Sequence, residues 1–216
     1  MKKREDIELL APAGSFEALV AAVQNGANAI YLGGQKFGAR AFAHNFDYDA
    51  LKEAVQYCHL RDVKLYVTVN TLYNHQEIDE IIPYLEYLYQ IGIDALIIQD
   101  MGLYSLIKKY FPEIEIHMST QASVRNIEGV RYFSEQNIDR VFLAREMNIS
   151  EIKAICQNCP MDIEVFVHGA LCMSYSGQCL MSSMIAKRSG NKGECGQPCR
   201  LPYSLLEDGK NIENQK

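Results

Sequence analysis

Short β-branched or apolar runs alternate with amphipathic helical stretches along nearly the whole chain, and that alternation leaves few folds open. The runs are Ile7 to Leu10, Ala29 to Leu32, Lys64 to Val69, Ala95 to Ile98, Ile114 to Met118, Arg140 to Leu143 and Asp162 to Val167. Between them, Phe16 to Asn25, Tyr48 to Leu60, Glu77 to Ile91, Gly102 to Tyr110, Ile127 to Gln136 and Ser150 to Asn158 space their apolar residues three and four apart, as one helix face requires. Strands separated by helices pair in parallel, because each helix carries the chain back to the edge of the sheet where the strand began. Ser15 and Ser150 fit as N-caps, and Gly26 and Gly92 follow the last turns of their helices.

Parallel strands can form an open doubly wound sheet or a β/α barrel. Polar residues end nearly every run: Glu8, Asn70, Gln99 with Asp100, Ser119 with Gln121, Arg145 with Glu146, and His168. A barrel gathers all such ends onto one face, whereas an open sheet uses only those at its switch point. The expected fold is therefore α/β, a parallel β/α barrel (TIM-like) over residues 1–168, incomplete at its C-terminus. Its mouth would present His168 and Glu8 as catalytic groups and Arg40, Asn45, Asn70, Gln121 and Arg145 as substrate-binding groups. Arg40, Arg125 or Arg145 could hold carboxylates or phosphates through forked hydrogen bonds. No GxGxxG follows the first run and no GxxxxGK[ST] occurs, so a nucleotide cofactor lacks its usual support; HExxH and GxSxG are absent as well.

Residues 169–203 have a different character. Cys172, Cys179, Cys195 and Cys199, four of the seven cysteines, fall within a stretch rich in Gly and Ser. Four thiolates can close around an iron–sulfur cluster or a zinc ion. The spacing is not the Cys-x2-Cys of a zinc ribbon and leans toward a cluster, with structural zinc and scattered packing thiols as alternatives. Cys156 and Cys159 lie at the wrong end of a helical pattern for an activated dithiol, and Cys58 sits on an apolar helix face. Residues 204–216 begin a hairpin, with Tyr203 to Leu206 as its strand and Asp208-Gly209 as its turn, and an eighth barrel strand is either this segment or missing.

At 216 residues and 48% hydrophobic, the chain can bury the core of one substantial domain. It has no apolar run of membrane-spanning length and no signal-peptide core, and its cysteine count is odd, which together point to the reducing cytoplasm. A net charge of -6 argues against a nonspecific coat for nucleic acid. Between His168 and Tyr203, however, Lys187, Arg188, Lys192 and Arg200 face only Glu194, a basic island suited to phosphates or an anionic substrate.

The stretch EVFVHGALCMSYSGQCLMS, Glu164 to Ser182, resembles the signature of peptidase family U32, the collagenase-like protease family. ELLAPAGSFEAL from Glu8, FGARAFAHNF from Phe37, STQAS from Ser119 and GECGQPCRLPY from Gly193 extend the resemblance over nearly the whole chain. It implies the N-terminal, barrel-like part of a longer protein. Some members are collagenases; other branches hydroxylate, without oxygen, a pyrimidine in transfer or ribosomal RNA, with prephenate as oxygen source, or a ubiquinone precursor. The resemblance implies a 4Fe-4S cluster held by Cys172, Cys179 and Cys195, with Cys199 as the fourth ligand. The expected activity is hydroxylation of an RNA pyrimidine, uridine of tRNA first, and the alternatives are a metal-dependent peptidase acting on peptides or a zinc-clamped binding module.

Overall fold

A computed structural model of the chain describes residues 7–39, 45–159, 161–208, 210 and 211. Seven strands form one parallel sheet in chain order: β1 (Leu10–Pro12), β2 (Ala29–Gly33), β3 (Lys64–Val69), β4 (Ala95–Ile98), β5 (Glu115–Met118), β6 (Arg140–Phe142) and β7 (Asp162–Glu164). The helices that return the chain are α1 (Phe16–Gln24), α2 (Tyr48–His59), α3 (His75–Ile91), α4 (Met101–Tyr110), α5 (Ile127–Glu135) and α6 (Ile149–Asn158). Helix starts are fixed by side-chain caps. Ser15 caps α1 as expected, but α6 is capped by Asn148, not Ser150, because Asn148 completes a capping box with Glu151. Gly92, in the left-handed conformation at φ +79°, ends α3.

Alternate residues of each strand face opposite ways, so the sheet builds two cores. Ile30, Leu65, Val67, Leu96, Ile116 and Val141 face the helices in the larger one. Ala29, Tyr66, Ala95, Ile97 and Phe142 form the smaller one, inside the curl of the sheet. That curl brings Glu8, just ahead of β1, to Arg140 at the start of β6. β1 and β7 do not pair with each other among the described residues, and the architecture is an incomplete α/β barrel. The segment proposed for closure does not join it: β8 (Leu206–Glu207) and β9 (Lys210–Asn211) pair antiparallel as a separate hairpin, and Gly209 of its turn lies outside the described residues. No helix of the described residues is long and apolar enough to cross a membrane.

Two strands depart from expectation at the open edges. β1 begins at Leu10 rather than Ile7, since the ladder with β2 pairs Leu10 with Ala29 and runs on to Pro12. β7 stops at Glu164: β6 offers it only Arg140 to Phe142, and with no further neighbour Val165 to Val167 leave the sheet.

The N-terminal end of the barrel interior is plugged by charge. Tyr66 donates its hydroxyl to the Glu8 carboxylate at 2.9 Å, and Arg140 bridges Glu8 and Glu164, the latter at 3.4 Å. His117 is fully buried with its ring 4.7 Å from that of Tyr66, and burial lowers its pKa, so it is neutral. Its Nε2 stands 3.7 Å from the Glu115 carboxylate, beyond hydrogen-bond distance. Burial raises the Glu8 pKa, but Arg140 and Tyr66 outweigh it and hold the carboxyl below its usual value. For Glu164 burial wins, helped by the Glu8 charge and only partly offset by Arg140, and its pKa is pushed up to about 7.

A pH dependence follows. The unfolded chain releases the Glu164 proton near pH 4.3, whereas the folded protein keeps it to about pH 7. Its stabilising contribution is therefore complete below about pH 4.3 and is lost as pH rises through 7. Glu164→Gln should flatten that slope and raise stability at pH 8 by up to about 3 to 4 kcal/mol. Urea unfolding at pH 5 and pH 8 checks this, and an unaltered slope in the variant would refute it.

Candidate active site on the C-terminal face

The Cys-rich segment is a cap fastened over the C-terminal ends of the strands. After β5 the chain makes a short 3-10 turn (Thr120–Ala122), and Ser123 takes a left-handed conformation at φ 57°. That turn meets Ser176, which is only 1% exposed. Ser176 donates its N–H to Glu146 at 2.8 Å, its carbonyl accepts from the Ser123 hydroxyl, and its own hydroxyl lies 3.1 Å from Glu146. Arg145 donates Nε–H to the same hydroxyl at 3.3 Å, and Gln178 donates to Ser123 at 3.0 Å. Gly177 lies directly on the turn, at φ +72°, where an added Cβ would stand 2.0 Å from the Gln121 carbonyl oxygen.

A second fastening lies across the mouth. Lys192 donates to both oxygens of Glu77, in the first turn of α3, at 2.8 and 2.7 Å, and lies 5.4 Å from the centre of the Tyr73 ring. The Lys192 hydrogen bond lowers the Glu77 pKa. Inside the cap, the short helix α7 (Met181–Ala186) packs on the turn at Pro198–Arg200, and the nearly buried Ser182 accepts from the N–H of Gly196 at 2.9 Å.

Several residues expected at the mouth are joined there. Asn70 accepts from the Ala39 N–H at 3.0 Å and donates to Ser119 at 3.3 Å, and Ser119 accepts from the Gln121 N–H at 3.2 Å. Gln121 and Arg145 meet the cap through Gly177 and Ser176. Asn45 stands at the end of β2, its Oδ1 3.4 Å from where a Cβ of Gly33 would be. His168 is exposed, four residues past the end of β7. Asp100 is committed to structure, accepting from Leu103 and Tyr73. Glu8 is a correction. It lies at the opposite, N-terminal end of the barrel, because β1 starts after it, and its carboxylate is already engaged by Tyr66 and Arg140. Arg40 lies outside the described residues. Ser176 and Ser123 lie in two of the stretches that carry the family resemblance and Lys192 in the basic island, but only the glycine beside a buried serine in YSG is a trace of the close approach that fastens the cap.

All seven cysteines are free thiols. Cys58 is buried in the larger core, which pushes its pKa up to about 11, and Cys159 is buried at the end of α6. The four cap cysteines come as two linked pairs. Arg200, beside Cys199, donates to the carbonyl of Leu171, beside Cys172, at 2.6 Å. Cys179 and Cys195 both approach Gly190, with the Cys179 carbonyl and the Cys195 Cβ 3.9 and 3.7 Å from its Cβ position. The Gln197 N–H points at the Cys195 sulfur at 3.4 Å. Among the described residues no three His, Cys, Asp or Glu side chains converge as a metal site. In chemistry the donor set fits soft iron: four thiols in one segment, with a backbone donor already turned to one sulfur.

The chain is 42% identical over 211 residues to the 23S rRNA 5-hydroxycytidine C2501 synthase of Escherichia coli K12, covering 97% of this chain and 32% of that protein. It is 38% identical over 205 residues to tRNA hydroxylation protein P1 of Bacillus subtilis 168, covering 94% and 49%. A collagenase of Porphyromonas gingivalis W83 is 34% identical over 222 residues, covering 96% and 52%. The chain thus spans about a third to a half of the length of these curated relatives. The solved structure of the U32 peptidase Mk0906 shares the fold, with a TM-score of 0.63 at 14% identity over 76% of this chain and 70% of that one. Residues 14–216 match the profile of Peptidase family U32, and with the Cys cap seated on an incomplete barrel the chain belongs to that family.

Proposed function

We propose that this chain carries the catalytic face of an RNA hydroxylase, an iron–sulfur enzyme that hydroxylates a pyrimidine, with uridine of tRNA as the substrate. The observation that supports the reading best is the double fastening of the cap, Ser176 with Gly177 on one side and Lys192 with Glu77 on the other. It holds the segment that carries the four free thiols against the face that bears Asn70, Gln121 and Arg145. Relatives at 42% and 38% identity are named for hydroxylation of rRNA and tRNA.

In this reading Cys172, Cys179, Cys195 and Cys199 hold a 4Fe-4S cluster, which supplies electron-transfer and Lewis-acid chemistry when bound. Asn70 and Gln121 orient the base edge through their amides. Arg145 offers the rest of its guanidinium to a small carboxylate such as prephenate, while its Nε keeps Ser176 in place. An RNA base reaches a recessed mouth only if it is unstacked, which favours a loop nucleotide over duplex. Peptide hydrolysis is the second reading, supported by the collagenase name of one relative. The serine of the cap with a carboxylate beside it, Ser176, is buried and bonded to the barrel, so it is out of reach of a peptide carbonyl.

Anaerobic reconstitution followed by iron, sulfide and zinc analysis tests the proposal, together with mass spectrometry of tRNA from cells with and without the gene. The expected results are iron and sulfide in the protein and loss of one oxygen atom's mass from a pyrimidine nucleoside in the deletion strain. Zinc alone, or unchanged tRNA, would overturn it.

A further inference from the structure

Tyr175 sits on the most tightly fastened stretch of the cap, yet the residue is 58% exposed. Its neighbour Ser176 is bonded to Glu146, Ser123 and Arg145, and Gly177 is pressed against Gln121. The backbone that carries the ring is therefore immobilised by the barrel while the ring faces solvent. An aromatic ring held this way has little conformational entropy left to lose when a flat ligand settles on it.

Arg125, exposed on the loop between β5 and α5, places its guanidinium carbon 4.7 Å from the centre of that ring. This is cation–π distance, and it ties the barrel rim to the cap at a point three residues after Cys172 and four before Cys179. Lys187, Arg188 and Arg200 make the same cap basic. Aromatic rings beside guanidinium groups on a basic surface are how proteins hold unpaired nucleobases: every base has a π face to stack, and the cation meets the adjoining phosphate.

The geometry points to a nucleobase-stacking site in which an unpaired base of single-stranded RNA lies on the free face of Tyr175 and Arg125 holds the next phosphate. This rests on the RNA reading above and adds to it the residues that grip the nucleotide.

A short RNA hairpin with 2-aminopurine in its unpaired loop provides the probe, because stacking quenches its fluorescence. Wild-type protein should bind and quench. Tyr175→Phe should do both, while Tyr175→Ala should lose the quench and bind about tenfold to a hundredfold more weakly. Tyr175→Leu, which keeps apolar bulk for packing, should behave like the alanine variant. Arg125→Gln should lower the slope of log affinity against log salt by about 0.7, the loss of one phosphate contact to a single strand. Binding by wild type without a quench, or wild-type affinity in both Tyr175→Ala and Tyr175→Leu, would overturn the stacking site and leave the RNA reading standing. If wild type fails to bind RNA but binds a collagen-type peptide, both fall together.

Discussion

Replacing Cys172, Cys179 or Cys195 by serine should abolish iron and sulfide binding after anaerobic reconstitution, whereas Cys58→Ser and Cys156→Ser should leave both unchanged. Serine stays protonated at neutral pH and is a hard donor, so it cannot stand in for a thiolate on soft iron. The controls follow from environment. Cys58 is buried in the larger core with its thiol pKa raised, and Cys156 sits exposed on α6, outside the cap. Cys199→Ser belongs with the first group, since Arg200 ties its neighbourhood to that of Cys172. Equal losses in all the variants would mean that the ligand set is wrong, and iron retained in the first three would remove the cluster from the proposal.

Gly177→Ala should release the cap. The added methyl would stand 2.0 Å from the Gln121 carbonyl oxygen, a backbone atom that cannot swing aside, and φ +72° is costly for alanine. The left-handed conformation costs about 1 to 2 kcal/mol and the overpacking about 1 to 3 kcal/mol more. A total of roughly 2 to 5 kcal/mol matches or exceeds the roughly 1.5 to 3 kcal/mol that hydrogen bonds to charged groups contribute, so the half-buried pair of Lys192 and Glu77 does not hold the cap alone. Limited proteolysis should then cut within residues 169–203 while the barrel core stays protected, and iron incorporation should fall with it. A cap as resistant as that of the wild type would show that the Gly177 contact is not what holds it.

Much of the barrel was legible because its strands are buried on both sides. Such strands read as short β-branched runs, and β3 (Lys64–Val69) and β4 (Ala95–Ile98) match their runs in the sequence to the residue. The edges were not, for a reason particular to edges: β1 and β7 are defined by what their one neighbour offers. Pairing with β2 pulls β1 forward onto Leu-Ala-Pro, residues with little strand propensity of their own. The same three-residue shift moves Glu8 from the end of a strand to a place ahead of one, and so from the mouth to the opposite face. For α6, Ser150 was the expected cap, and Asn148, two residues earlier, takes that place because it has Glu151 three residues on.

The sequence by itself determined the parallel alternating sheet, the cysteine-rich segment with its basic surroundings, and the polar groups Asn70, Gln121 and Arg145 after β3, β5 and β6. Each of these is a local pattern of periodicity, spacing or composition, which a linear chain records directly. Only the tertiary structure decided that Arg140 and Tyr66 bind Glu8 inside the barrel, that Ser176 and Lys192 fasten the cap, and that Arg125 lies over Tyr175. Those contacts join residues 30 to 132 positions apart, or 50 and 115 in the cases of Tyr175 and Lys192, and they depend on how far the sheet curls and where the cap lands. Inside that curl small Ala29 and Ala95 pack beside Tyr66 and Phe142, a balance of volumes that no single stretch of sequence contains.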